Sequence, residues 1–318
     1  MLICRINGRI GNTLFLTAAI RRLHELLPDA AIDLALAFPK SAELLGPLPG
    51  VRRVIVFPHK TGNVVWRYLA ALRRMRQCRY DLVIDPTIES TSNRMTLSLS
   101  RARYRLGFVA PSQWAPLTHG VAEPEDIDRM HEALRPVFLV SRIFQAPYEP
   151  DPVRLWLPLE PERLEAGRRR LAQVIGVAPT EPERCAFGFF AQAAAFKLID
   201  PAWWQAFWEA FLALEPQAIP VEFLPSPGYP PTVARLHSLH VPVLRDLAAT
   251  IAATRMFIST DTGPMHLASS TDVPTVGLFR ASNPTLYRPL KPTDLAIDIG
   301  QCSPQEVAAR CHRIWRGA

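Results

Sequence analysis

At 318 residues the chain is longer than one hydrophobic core usually supports, so two domains are expected. Apolar residues make up 48% and charged residues 20%, which excludes a disordered chain and fits an ordinary soluble, globular one. The net charge of +7 is uneven: residues 1–120 hold 17 Lys and Arg against 7 Asp and Glu, and the remainder holds 19 against 22.

In chain order, Leu2 to Ile6 reads as a short buried strand followed by a Gly8–Gly11 turn. Asn12 to Leu27 has helical spacing, with Leu14, Leu16, Ala19, Ile20, Leu23 and Leu27 favouring one side. Ile32 to Phe38 and Val54 to Phe57 read as strands, Val64 to Gln77 as an amphipathic helix with arginines on its wet face, and Leu82 to Asp85 as a fourth strand. Strand and helix alternating at this spacing predict a parallel sheet covered on both faces. Asp126 to Phe144 reads as a helix kinked at Pro136, and Ala146 to Pro158, with four prolines, as the linker.

The pattern then restarts. A helix at Pro161 to Ile175, a strand at Cys185 to Phe190, a helix at Pro201 to Leu214 and a strand at Val221 to Leu224 are expected. Leu247 to Thr254 reads as a helix, Met256 to Ser259 as a strand, and after a tight turn come a helix from Pro264 and a strand at Thr275 to Phe279. Ser303 to Trp315 closes the chain as a helix, with Ser303 as N-cap, Pro304 in the first turn and Glu306 three residues on. The expected fold class is α/β with two Rossmann-like domains. Residues 1–150 form the first, 151–302 the second and 303–318 a closing helix, with ligands held in a cleft between the carboxyl ends of the two sheets.

The five cysteines form no CxxC pair, and Cys311–His312 has no second pair nearby, so neither a zinc site nor a disulfide framework is expected. Arg5 and Arg9 interrupt the first apolar run, which argues against a signal peptide. The longest nearly uncharged apolar stretch, Ala186 to Phe196, falls short of the roughly 20 residues of a membrane span. The basic first part suits an anionic partner such as a phosphorylated glycolipid, a membrane surface or nucleic acid, or a plain solvated arginine-rich face. A nucleic-acid partner is disfavoured, because no basic stripe interleaved with aromatic residues is present. His59, His119 and His131 have no spacing that suggests metal or catalysis.

The densest signal is Ser259 to Phe279, STDTGPMHLASSTDVPTVGLF. Pro264 suits a first helical turn, Asp261 or Thr262 can cap that helix, and Gly263 lets backbone approach a ligand. The N–H groups at such a helix start favour a phosphate; a plain well-capped helix is the alternative. The run D-T-G-P-M-H-L-A followed by V-P-T-V-G-L-F resembles the signature of glycosyltransferase family 9, the ADP-heptose:lipopolysaccharide heptosyltransferases. More weakly, RINGRIGNTLFLTAAIRRLHELLPDAAIDL, YDLVIDPTIES with RYRLGF, and FKLIDPAWWQAFWEAF resemble other segments of that family.

The resemblance implies a GT-B fold and an inverting, metal-independent transfer of heptose or a related sugar from an ADP-sugar to a lipopolysaccharide-core acceptor, with no cofactor. It implies donor contacts from Asp261, Thr262, Gly263 and His266, and from Lys197 as the lysine that neutralises donor phosphate. Gln192 is the one polar side chain in Ala191 to Phe196, where the family often has small hydroxyl residues. Arg5, Arg9 and Arg94 are acceptor candidates in the basic half. In the family an aspartate directly after the first-turn glycine is assigned as base, whereas this chain has Gly11-Asn12. An amide cannot take a proton near neutral pH, so Asn12 would orient a substrate while Asp85 or Glu89 serves, either of them readable instead as a structural cap and Glu89 more so; a different base or a substrate-assisted step is the other route. A non-catalytic nucleotide-sugar-binding relative, a different donor and acceptor, and a sugar epimerase of the same fold are the other readings. The only DxD triplet, Asp126-Ile127-Asp128, stands at a predicted helix start, where capping is expected. A cytoplasmic protein, peripheral on the inner face of the bacterial inner membrane, is the implied location.

Overall fold

The computed structural model describes residues 1–6, 10–58, 64–109, 117–151 and 153–317. It divides into two compact units, Met1–Trp156 and Leu157–Ala318. In the first unit β1 (Leu2–Arg5), α1 (Ile10–Leu26), β2 (Ile32–Leu36), α2 (Pro39–Leu45), β3 (Val51–Val56), α3 (Val64–Arg76) and β4 (Tyr80–Asp85) alternate. They are followed by α4 (Thr91–Leu99), β5 (Ala102–Phe108), β6 (His119–Val121) and α5 (Leu134–Ile143). The second unit runs α6 (Pro161–Ile175), α7 (Pro182–Cys185), β7 (Ala186–Phe190), α8 (Pro201–Leu214), β8 (Ile219–Leu224), β9 (His237–His240) and α9 (Leu244–Ala252). It closes with β10 (Met256–Thr260), α10 (Gly263–Ser269), β11 (Thr275–Phe279), α11 (Pro284–Tyr287), β12 (Leu295–Asp298) and α12 (Pro304–Gly317).

Each unit has one parallel six-stranded sheet, ordered β3-β2-β1-β4-β5-β6 and β12-β11-β10-β7-β8-β9. Read from its first strand, the second sheet repeats the first: both are Rossmann-like, with the order reversing beside β1 and β7. The reversal leaves a crevice at the carboxyl ends of β1 and β4, and of β7 and β10. Those four strands therefore decide where function sits.

The central strands read as apolar runs because both faces are covered; β1, β2, β7, β10 and β11 are buried along their whole length. In the second unit, Trp204, Phe207, Trp208 and Phe211 of α8 fall at helical spacing and pack on Phe187 and Phe189 of β7. Phe187 meets Trp208 and Phe211 edge-on, with ring centroids 4.9 and 4.8 Å apart. Trp315 brings α12 onto the same cluster. Helices α6 and α9 come so close at Gly167 that a Cβ there would stand 2.4 Å from the Ala249 carbonyl oxygen.

Several expected boundaries moved, for local reasons. The helix expected over Asp126–Phe144 is a 3₁₀ turn at Ile127–Arg129 followed by α5 from Leu134. Pro136 thus kinks nothing: it lies in the first turn of α5, where its missing N–H goes unused. Asp126 precedes the 3₁₀ turn, and its side chain caps nothing. Gly11 lies inside α1 rather than in a turn before it. The closing helix starts as expected: the Glu306 carboxylate accepts from the Ser303 backbone at 2.7 Å, and the Ser303 hydroxyl accepts from the Glu306 N–H at 3.2 Å. Among the described residues no helix is long and apolar enough to cross a membrane.

Candidate functional site

At the carboxyl end of β10 the chain turns through Asp261 and Thr262 into α10. Beside it, the strand β7 runs out through Ala191 and Gln192 to a 3₁₀ turn at Ala195–Lys197. The two exits are tied together: the Thr260 hydroxyl donates to the Gln192 carbonyl at 3.0 Å. This tie brings Lys197 to Asp261, 64 positions away in sequence, with the ammonium 2.5 Å from a carboxylate oxygen. The Ser282 hydroxyl donates to the same oxygen. His266 lies one turn into α10, its Nε2 3.7 Å from the other oxygen. Four of the five residues of greatest interest in the sequence (Lys197, Asp261, Thr262 and His266) therefore meet at one strand end, and Gly263 opens the helix between them.

Thr262 occupies the N-cap position, but neither it nor Asp261 caps α10 by its side chain. The Thr262 hydroxyl donates instead to the Thr260 carbonyl at 3.2 Å, and the Asp261 carboxylate is taken by Lys197 and Ser282. Gln192 is held rather than free. Its amide nitrogen donates to Thr232 at 2.8 Å, and its amide oxygen accepts from Tyr229 at 2.9 Å. Behind Thr232 stands the buried Glu222, whose two oxygens accept the Thr232 N–H and hydroxyl at 2.7 and 2.6 Å. Burial pushes the Glu222 carboxyl above the usual range, against those two bonds. The sequence reading passed over Glu222, although a lone carboxylate inside the apolar run Ile219–Leu224 is a readable signal, since such a group must find partners. Ser282 carried no such signal.

His266 is buried, and loss of solvent lowers its pKa from 6.5 to about 4, with Asp261 opposing and Lys197 adding to the fall. The 3.7 Å separation from Asp261 would allow an ion pair, but burial outweighs it and the imidazole is neutral near pH 7. A base with a depressed folded-state pKa contributes stability above its unfolded value, and that stability is lost as pH falls through the folded one. Unfolding free energy should therefore drop between pH 6.5 and 4, His266 contributing up to about 3 kcal/mol of the loss. Denaturant titrations of the wild type and His266→Gln across that window check this; parallel curves would remove His266 as the cause.

In the first unit the strand ends gather around Asp85, which is wholly buried. One of its oxygens accepts the Thr87 N–H at 3.1 Å, the Thr87 hydroxyl at 2.6 Å and the Asn93 amide at 3.2 Å. Its other oxygen faces the Arg94 Nε at 3.2 Å. Asn93 in turn accepts from the Ile6 N–H at 2.7 Å, and Arg94 donates to the Phe108 carbonyl at 2.8 Å. Asp85 thus knots the ends of β1, β4 and β5 from inside and presents no carboxylate to solvent. Arg94 is 2% exposed, and Arg5 is likewise buried, 3.8 Å from Glu132. Both side chains are therefore buried, where the sequence suggested exposed cations. Arg9 lies outside the described residues. Asn12 is half-buried in the first turn of α1.

Two carboxylates that follow these strand ends and reach solvent are Glu89, four residues past β4, and the half-buried Glu123, two past β6. Glu89 does not take the capping place: Ser90 is the N-cap of α4. Burial raises the pKa of Glu123, and the negative charges of Glu89 and Asp128 raise it further. Glu123 went unremarked in the sequence because β6 is only three residues long and leaves almost no periodic signal. Among the described residues no group of three or more His, Cys, Asp or Glu side chains could hold a metal ion.

Comparison with known proteins matches residues 243–312 to glycosyltransferase family 9 (heptosyltransferase). A Haemophilus influenzae protein named "Putative glycosyltransferase" is 37% identical over 64 residues, 19% of this chain and 18% of that protein, so the match spans less than a fifth of the relative. Similar solved structures include the family 9 glycosyl transferase of Veillonella parvula, with a TM-score of 0.81 at 16% identity over 100% of this chain and 97% of that one. The E. coli heptosyltransferase WaaC with ADP gives 0.77 at 16% identity, covering 98% and 99% of the two chains. E. coli ADP-heptose lipopolysaccharide heptosyltransferase II gives 0.75, also at 16%, covering 99% and 98%. These likenesses make the fold GT-B, and the matched segment contains the turn at Asp261–His266.

Proposed function

We propose that this chain, heptosyltransferase-like in fold and of glycosyltransferase family 9 by its 243–312 segment, transfers heptose or a related sugar from an ADP-sugar to a lipopolysaccharide-core acceptor. The observation that carries the reading is the Lys197 ammonium held 2.5 Å from Asp261, directly beside the half-exposed Thr262–Gly263 turn. A donor diphosphate needs a fixed cation where charge builds on the leaving group. Lys197 supplies one, and Asp261 keeps it in place until phosphate arrives. Neutral, buried His266 supports the turn without adding charge. The same cation leaves no requirement for a metal ion, so turnover should withstand a chelator. The basic first unit would receive the anionic acceptor at the inner face of the bacterial inner membrane.

Inverting transfer needs a base for the acceptor hydroxyl, and in this reading an accessible carboxylate at the carboxyl end of the first sheet serves. Glu89→Gln and Glu123→Gln, made separately, are expected to divide: one lowers acceptor-dependent turnover by roughly 10²–10⁴-fold with donor affinity intact, the other barely at all. If both retain full turnover, the base is elsewhere, and Asn12→Asp then tests the first-turn position.

The primary experiment mixes protein with ADP-heptose and truncated lipopolysaccharide core, following ADP release and, by calorimetry, donor binding. Acceptor-dependent release is the expected result. Donor binding without release on any acceptor of a panel would favour a non-catalytic relative. With neither binding nor release, the ADP-heptose reading fails.

A further inference from the structure

Helix α3 has two apolar sides where packing uses one. Tyr68, Ala71, Leu72 and Met75 lie against a core that includes Leu2, Phe57 and Val83. At about 100° per residue, Val65, Trp66 and Leu69 fall outside that arc. They are 67%, 74% and 47% exposed. Single exposed apolar residues are ordinary, but three within five positions on one arc make a patch. The next turns of the same outer face carry Arg73 and Arg76, with Arg67 and Arg74 on the flank and Arg79 just beyond the helix, all of them exposed. No Asp or Glu occurs from Val64 to Tyr80.

We propose that the outer face of α3 docks the chain on an anionic phospholipid bilayer. The chemistry matches by depth: Trp66, Val65 and Leu69 enter the boundary between headgroups and acyl chains, and the guanidiniums meet lipid phosphates one turn further along. A tryptophan with polar indole N–H is suited to that depth. A second copy of this face fits poorly, because it brings no carboxylate to meet the arginines, which would only add positive charge to positive charge. The membrane setting rests on the reading above, whereas the choice of surface rests on α3 alone.

The test is flotation of the full-length protein with phosphatidylcholine vesicles, with and without about 30% phosphatidylglycerol. Binding to the anionic vesicles only is expected, with release in about 0.5 M salt. Val65→Ser/Trp66→Ser/Leu69→Ser and Arg73→Glu/Arg74→Glu/Arg76→Glu should each weaken it by about tenfold or more. Circular dichroism and calorimetric binding of ADP-heptose in the absence of vesicles check that both variants are folded. Donor binding retained while flotation is lost supports the surface; donor binding absent in every form sinks the transfer reading and leaves the surface standing. The proposal is overturned if the wild type ignores anionic vesicles or both variants float like it. It is equally overturned if binding requires added lipopolysaccharide core, or if the variants change oligomeric state by sedimentation, which would make the face an acceptor subsite or a self-interface.

Discussion

Lys197→Ala is expected to reduce sugar transfer by roughly 10²–10³-fold, because the transition state loses its fixed positive charge at the leaving diphosphate. The loss should fall on turnover and donor affinity together, since an ammonium attracts phosphate before and during bond cleavage. The variant also leaves Asp261, which is nearly buried, without the cation 2.5 Å away. Its Ser282 bond remains, so the fold should survive, with a modest fall in melting temperature. Asp261→Asn separates the two roles: it keeps the lysine and removes its tether, so donor binding should weaken far less than in Lys197→Ala. ADP release and calorimetry on both variants, beside thermal melts, check this. Lys197→Ala turnover within about threefold of wild type would end the assignment of Lys197 to the donor phosphates.

The turn at 261–266 was legible because its information is local. A proline after a glycine, a capping-type residue pair and a buried strand on each side are all written within the one segment from Ser259 to Phe279, and the fold only had to place them at a strand end. Lys197 was legible by resemblance, but its partner was not: Asp261, itself held by Ser282, meets it across the tie between Thr260 and Gln192, which no spacing encodes. The same limit explains the first unit. Asp85 at a strand end reads as a base in sequence, because the position is right for one. Nothing local says that Thr87, Asn93 and Arg94 will close over it. Arg94 and Arg5 read as surface cations because most arginines are, and burial is a property of tertiary packing. Boundaries failed where tertiary structure overrode pattern. The short strands β6, β9 and β12 have three or four residues each, too few to show alternation.

That interior position of Asp85 leads to the second large effect. Burial raises the Asp85 pKa and lowers that of Arg94, so both groups are pushed toward their neutral forms despite facing each other at 3.2 Å. Desolvation therefore outweighs their attraction, and the pair is a positioning device rather than a net source of stability. Asp85→Ala should cost about 3–5 kcal/mol, because Arg94 stays buried without its counter-charge while Asn93 and Thr87 lose their acceptor. Through Asn93 the damage reaches the Ile6 N–H, and so the end of β1. Arg94→Met should cost a similar amount from the opposite side, with the Phe108 carbonyl also losing a donor. The double variant Asp85→Ala/Arg94→Met removes both charges, and its loss should be clearly smaller than the sum of the two single losses. Urea unfolding of all four proteins gives the cycle directly. If Asp85→Ala instead keeps full stability and loses only turnover, the carboxylate is reached by substrate, and the base must be sought at Asp85 after all.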